Sequence, residues 1–592
     1  MAAAAAILAS LPQIHPRLVW GATWNNTFVS YYFDEPAYLV YLQGLIDGLP
    51  RRSDPYAGFD HAKQTAQSES LFSIQFLPAY TLAIPARLLG LTSTEIFVAL
   101  RTVSAFLSAL AIFCLLQVFT KNLKIVAVGT LIIFCLGCYV SSAKPVSTLF
   151  ALGYAGYDFP FLRCFLPALP FPVFFFFCAA VLKAMVSMNR ARILLFALLG
   201  GIAFVVLLFS YFFLWTAAAA WLACLAFVLV LSPSLNVRRL LGVLGVILPI
   251  ALCGMIPYVL LLLQRSPTMD VAQLLLKSHA PDFSHRSEYI AGALIIIFVV
   301  AVKRRAIDWS DSLNRTILAF ALLPFCLFNQ QVITGYSLQP FHYEVYVAPY
   351  SVAIAGVLLA TMFGRQLLRR HASYRTRAVI LLSCLAVLVV GRAVATTVIM
   401  SNTNMKSQAT TAGKFAVLKR FQQVTLEEEN KTRDSRPVVF FTDLEQADMA
   451  PALAPYFVLW APHMFVFPGL TESENKERLY RYLYFQGVTR EEFAVMASKN
   501  SYLSLALFGF ERASRGDFSE KGIRFEDVAR EQENYNRFVA SFDLSHALVP
   551  KIDYVVTQSQ RGPNLSNFDR WYERYDAYSV GDFTMWRVKP RI

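Results

Sequence analysis

The sequence predicts a multi-pass α-helical membrane protein, with about eleven transmembrane helices, that carries a C-terminal extracytoplasmic α/β domain. Three observations predict it. Of 592 residues, 56% are hydrophobic and only 16% are charged, less charge than soluble domains usually carry. Apolar runs approach the roughly 20 residues needed to cross about 30 Å of hydrocarbon, and they recur from the start to about residue 400. Beyond Ser401 the chain turns charged, and short apolar runs alternate with helix-like stretches.

The opening run, "MAAAAAILASLPQIHPRLVWGA", is short, holds two prolines and looks clipped at its start. Its small residues resemble those of a signal peptide, but it lacks the basic leading region. It is read as a first membrane helix that ends before Tyr31. Ten further spans are expected near 96–118, 124–142, 170–187, 192–209, 213–231, 239–263, 288–303, 314–330, 344–363 and 377–399. The net charge of +14 would suit a nucleic-acid partner in a soluble chain. Here Lys121 and Lys124, Arg190 and Arg192, Arg238 and Arg239, Lys303 to Arg305, and Arg365 to Arg377 fall on alternate short loops. That is the positive-inside pattern, so those loops are cytoplasmic and no nucleic acid is expected. The longer loops 31–95, 143–169, 264–287 and 331–343 then face outward, as does the tail. The expected division is a membrane domain, 1–400, and an extracytoplasmic domain, 401–592.

The nine cysteines all lie in or beside membrane segments, and none follows Cys384. A disulfide framework would place them in the soluble parts. Cys135 and Cys138 form a C-x-x-C inside an apolar run, where small packing residues are the plainer reading. In the tail, "PVVFFTD", "MFVFPG", "IDYVVTQ" and "FTMWRVK" have the length and composition of strands. "ESENKERLYRYLYFQG" reads as a helix stopped by Gly487. Strands alternating with helices give a small α/β domain.

The stretch "SYYFDEPAYLVYLQGLIDG", 30–48, puts two adjacent carboxylates, Asp34 and Glu35, ahead of Pro36, a good first-turn residue. Tyr38, Tyr41, Leu42, Leu45, Ile46 and Leu49 follow at helical spacing, and Gly48 is placed to end the helix. Twelve or so residues reach about 18 Å, too short to span, so the helix lies along the outer membrane face. Acids favour a helix N-terminus, which makes capping the bland reading of the pair; capping, however, needs only one acid. A second amphipathic piece, "LFSIQFLPAYTLAIPARLLGLTSTE", is interrupted by Pro78 and Pro85 and leads into the next span.

Two interfacial helices in the first outer loop, the first headed by an acid, followed by a bundle of spans, resemble the GT-C superfamily of membrane glycosyltransferases. The protein O-mannosyltransferases and the aminoarabinose transferases are of this type. "QFLPAY" stands where many of those relatives carry His-Pro-Pro. The resemblance implies a polyprenyl-phosphate sugar donor, a lipid, glycan or protein acceptor, a setting among the lipids of a plasma membrane (a bacterial inner membrane), and a catalytic carboxylate at Asp34.

The residues of the outer loops suit that chemistry. Such a transfer needs a base for the acceptor's proton, cations for the leaving phosphate and an apolar groove for the lipid. Asp34 is the candidate base, with Glu35 as support or alternate. Arg163, among Phe159, Phe161 and Phe165, is a candidate phosphate contact, against the alternative that it snorkels. Lys277 and His342 are the other candidate donor-phosphate contacts; His342 reads equally well as a structural histidine. Lys144, Asp158, Gln331, Gln339, Tyr343 and Glu344 are candidate site-wall residues, because polar groups at membrane depth are costly unless paired or lining a cavity. No metal motif, Walker sequence or dinucleotide fingerprint stands out. No cofactor is predicted, and a divalent metal stays open. Two other readings compete: a transporter or lipid flippase, which would need ionisable residues deep in several spans, and a non-catalytic envelope assembly protein, for which Asp34 would be dispensable.

Overall fold

Every expected apolar stretch forms a helix. The computed structural model describes residues 1–21, 28–58, 68–140, 161, 163–231, 235–266, 269, 275–370, 374–429, 436–509, 512–513, 522–558, 562 and 564–591. In chain order the helices of the membrane part are α1 (Ala2–Trp20), α2 (Glu35–Ile46), α3 (Phe76–Leu89), α4 (Ser93–Phe119), α5 (Leu123–Val140), α6 (Phe171–Val186), α7 (Arg190–Leu208), α8 (Phe212–Val230), α9 (Leu235–Leu263), α10 (Arg286–Lys303), α11 (Ser312–Asn329), α12 (Pro340–Tyr346), α13 (Ala348–Arg370) and α14 (Tyr374–Glu429). Among the described residues, seven helical stretches are long and apolar enough to cross a membrane: Ser93–Phe119, Arg190–Leu208, Phe212–Val230, Val237–Leu263, Ser312–Thr334, Pro340–Phe363 and Ser383–Met405. The apolar helices Leu123–Gly137 and Phe171–Val186 are shorter.

Loop 31–95 holds α2, a one-turn helix Leu71–Ile74 and α3; α2 and α3 lie against each other and against α4. Pro78 falls in the first turn of α3, where no intrahelical hydrogen bond is lost, so only Pro85 sits inside the helix. A reciprocal cap starts α4: the Glu95 amide donates to Thr92 Oγ1, and the Glu95 carboxylate accepts from the Thr92 amide at 2.8 Å. The core of the bundle is α4 packed on α6 and α1, with α7 against α6 and α9.

Helix α14 does not stop where the apolar run stops. It continues through Ser401 to Glu429 and turns Phe415, Leu418 and Phe421 into the core. The sheet domain follows. Its strands are β3 (Val438–Phe441), β4 (Phe457–Val458), β5 (Tyr554–Gln558), β6 (Tyr572–Val580) and β7 (Phe583–Pro590), β1 (Leu275–Lys277) and β2 (Tyr336–Leu338) being a separate two-stranded ribbon. The sheet order is β4-β3-β5-β7-β6, parallel across β4, β3 and β5 and antiparallel from β5 onward. The helix Glu472–Phe485 ends as expected at Gly487, whose φ of +70° suits glycine.

"MFVFPG" is not a strand. Met464–Val466 is a 3₁₀ turn. Its apolar residues serve docking instead of pairing: Phe467 packs on Phe72 at 4.7 Å and on Tyr41 at 6.0 Å, both in loop 31–95. The same contact is extended by the Tyr56 carbonyl, which accepts from the Val458 amide at 2.9 Å, and by Asp47, which pairs with Arg436 at 2.8 Å. A Cβ on Gly469 would fall 2.3 Å from that of Asp54, so glycine is what permits this approach.

Asp54 is fully buried in that interface. One carboxylate oxygen accepts from the Tyr56 and Ala57 amides at 2.8 and 3.1 Å. The other has no hydrogen-bond partner among the described residues. Burial pushes its carboxyl up to about 6, against the pull of the two amides and Arg478. The folded state therefore holds a proton that the unfolded chain has released, and stability falls as pH rises from about 4 to about 6. A shift of that size corresponds to about 3 kcal/mol above pH 6. Asp54→Asn keeps the two accepted hydrogen bonds, so it is expected to flatten this part of the melting profile and to melt above the wild-type protein at pH 7. Parallel profiles for the two proteins between pH 4.5 and 7 would refute the assignment.

Candidate functional site

The two carboxylates that open α2 go separate ways. Glu35 is fully buried. Its Oε2 accepts from Ser30 Oγ at 2.9 Å and from the amides of Tyr31 and Tyr32 at 2.8 and 3.4 Å. Its Oε1 accepts from the Cys164 amide at 2.9 Å and lies 3.5 Å from Arg101 Nη2. Arg101 sits inside α4, also fully buried, and donates through Nε to Cys164 Sγ at 2.9 Å. Glu35 thus clamps three segments distant in sequence: the approach to α2, the span α4 and the loop before α6.

Asp34 occupies the cap position of α2, yet its side chain makes no hydrogen bond to the helix. It reaches across to Arg163, to which it is hydrogen-bonded and ion-paired, and keeps 35% of its side chain exposed. Arg163 is 6% exposed and donates to the Tyr38 hydroxyl at 2.9 Å from above that ring. Its Nη1 lies 3.4 Å from His342 Nδ1, which is 2.7 Å from the Tyr211 hydroxyl. Phe213 stacks on the imidazole at 4.2 Å. Among the described residues Arg163 Nε is buried and has no partner. Burial pushes the Tyr38 phenol up to about 12 although Arg163 pulls the other way, and Tyr211 is raised for the same reason. Both phenols stay protonated near neutral pH. The site therefore offers a carboxylate with an open side, a guanidinium with an unused donor, an imidazole and two phenols.

The structure brings Asp34, Arg163 and His342 together from 308 positions of chain, as counted from their numbers. It does not bring Lys277 to them: that residue is exposed on β1, paired across the ribbon with Tyr336. The other polar residues near His342 build the wall. Tyr343 OH and Thr216 Oγ1 are 2.7 Å apart, and Gln331 donates to the Ala280 carbonyl at 3.1 Å. Glu344 accepts from Ser287 at 2.7 Å and lies 3.8 Å from His285, while the Gln339 carbonyl accepts from the His342 amide at 3.1 Å. Lys144 and Asp158 lie outside the described residues. Among the described residues no group of three His, Cys, Asp or Glu side chains is arranged to hold a metal ion.

Tyr38, Tyr211 and Arg101 were not among the expected site residues. Tyr38 carries a signal only as part of the apolar stripe of α2. Arg101 carries a stronger one, since an arginine within a span calls for a buried partner.

Fold and site together define a multi-pass membrane protein with a carboxylate–guanidinium–imidazole centre at the end of its bundle and a sheet domain docked beside it. No protein-family model and no curated protein matches the chain. Among solved structures it is similar to ArnT from Cupriavidus metallidurans bound to undecaprenyl phosphate, with a TM-score of 0.45 and 13% identity over 83% of this chain and 94% of that one. It is also similar to the apo state of the same protein, with a TM-score of 0.43 and 14% identity over 82% of this chain and 94% of that one.

Proposed function

We propose that the chain is a GT-C type glycosyltransferase that moves a sugar from a polyprenyl-phosphate carrier to an acceptor on the extracytoplasmic side of the membrane. The observation that carries the reading is the convergence of Asp34, Arg163 and His342 around an open side of the carboxylate. In this mechanism Asp34 takes the proton of the acceptor hydroxyl as its oxygen attacks the anomeric carbon. The bond from that carbon to the phosphate oxygen breaks on the opposite face, and the phosphate leaves with the bonding pair, inverting the centre. Arg163 neutralises the leaving charge, and the His342 imidazole adds a hydrogen bond to it. Donor arrival also frees the base: the phosphate competes with Asp34 for the Arg163 guanidinium, whose planar fork suits phosphate oxygens. Glu35, with both oxygens already engaged, holds the backbone under Asp34.

Arg163→Ala is expected to weaken binding of polyprenyl phosphate about 10- to 100-fold, the worth of a hydrogen bond to a charged group. Arg163→Lys should recover only part, since an ammonium lacks the fork. The measurement is a titration of the purified protein in lipid nanodiscs, alongside sugar transfer from a polyprenyl-phosphate donor. Equal affinity in Arg163→Ala and wild type would remove Arg163 from the donor site.

A further inference from the structure

A cavity of about 560 Å³ touches Phe33 and Pro36, the two residues that bracket the carboxylate pair. The volume lies within the roughly 300–1,000 Å³ of small-molecule sites. One wall is the segment before α2. The facing wall comes from α14 and the sheet domain, and presents Asp443, Glu445 and Asp448. No lysine, arginine or histidine lines it among the described residues. Two cations stand behind the carboxylates. Lys414 Nζ lies 2.7 Å from both Asp443 and Glu445, so one ammonium serves two acids. His463 Nδ1 lies 2.7 Å from Asp448, and its ring packs on Phe33 at 4.5 Å. Even with His463 protonated, three acids face two cations, and the wall stays net negative. Phe33 and Tyr502 add stacked rings 4.8 Å apart.

We propose that this cavity is the acceptor subsite and that it takes a saccharide head without phosphate, either neutral or amine-bearing. The inference rests on reading Asp34 as the base: Phe33 and Pro36, which flank the Asp34–Glu35 pair, line the cavity, although neither carboxylate is among its lining residues. Two features set the class. Aromatic rings of the lining, with Tyr31 and Tyr32 beside the Phe33–Tyr502 stack, take the C–H side of a sugar ring while nearby acids accept its hydroxyl or ammonium protons. A phosphorylated head meets like charge with no basic side chain to receive it, in contrast to the Arg163 side of α2. The two substrates are thereby sorted by charge: the phosphate carrier toward the guanidinium, the uncharged or cationic acceptor toward the acids.

The test uses the full chain in lipid nanodiscs and three probes: trehalose, the chitosan dimer and trehalose 6-phosphate. Hydrogen exchange at 28–33 and 443–449 is followed during titration. Trehalose and the chitosan dimer are expected to protect both segments, and trehalose 6-phosphate at least about 10-fold more weakly. Asn404→Trp, which fills the cavity from α14, should abolish protection and leave polyprenyl phosphate binding intact. Glu445→Gln should narrow the bias against the phosphorylated probe several-fold. Protection by trehalose 6-phosphate equal to that by trehalose, protection that survives in folded Asn404→Trp, or no protection by any probe overturns the proposal. If Asn404→Trp does not fold, Glu445→Gln decides, and an unchanged bias overturns it. Loss of polyprenyl phosphate binding by the wild-type protein would sink the donor reading instead, and would leave saccharide protection standing as a separate result.

Discussion

Asp34→Asn is expected to lower the rate of sugar transfer by about 10² to 10⁴, the usual worth of a general base. The amide keeps the shape and can still accept a hydrogen bond from Arg163, but it cannot take the acceptor's proton. Helix α2 should be indifferent to the change, because the Asp34 side chain makes no hydrogen bond to the helix it heads; any fall in melting temperature measures the lost charge opposite Arg163. Donor binding should hold or rise, since Arg163 loses a competing anion and becomes freer for phosphate. The assay is transfer from a polyprenyl-phosphate sugar by purified protein in nanodiscs, with melting temperature and polyprenyl phosphate affinity measured in parallel. A folded Asp34→Asn protein that transfers sugar at the wild-type rate would refute the mechanism and leave the ion pair as a structural contact.

The second large effect concerns the neighbouring acid and bears on stability. Glu35→Ala or Arg101→Ala leaves a single charge in a fully buried place. Breaking a buried pair from one side costs about 3–5 kcal/mol, enough to consume much of the stability of an ordinary domain. Loss of Glu35 also removes the carboxylate to which the Tyr31 and Cys164 amides donate. The double change Glu35→Gln with Arg101→Met should be milder than either alanine variant, because it leaves no lone charge and the amide oxygen can still accept. A thermal-unfolding cycle over the single and double variants measures the coupling. Single alanine variants that melt with wild type would show that the pair holds nothing in place.

The bundle was legible because apolar length is a local property, and the eleven runs needed no knowledge of what they touch. Asp34 was legible for a similar reason: two acids before a proline at the head of an amphipathic helix have few uses. Arg163 and His342 stood out as polar groups in apolar surroundings. What local pattern could not supply was the partition of the acids. Glu35 turns inward because Arg101 lies opposite it, 66 positions later by their numbering, and nothing near Glu35 announces that. Lys277 meets the same limit, since a basic residue in a loop looks alike whether it faces a site or lies exposed on a ribbon strand, where the structure has it. In the tail, Phe457–Val458 is too short to show a period. Tyr572–Val580 is largely exposed, so its charged residues hide the alternation that marks a buried strand. "MFVFPG" misled in the opposite sense: its hydrophobic residues meet another part of the molecule, not a sheet.

Helix α14 carries one further consequence. It is 56 residues long and unbroken from the apolar stretch to the sheet domain, a rod of about 84 Å at 1.5 Å per residue. Near its far end Thr425 Oγ1 and the Tyr456 hydroxyl are 2.9 Å apart, and Lys414 is tied to Asp443 at 2.7 Å. A span adapts to a thicker or thinner bilayer by changing its tilt. Because the helix is continuous, a change of tilt is expected to pass to the sheet domain, and so to the acidic wall facing Phe33. Lipid chain length is therefore expected to reach that wall as a mechanical input, set by the membrane and read at the far end of one helix.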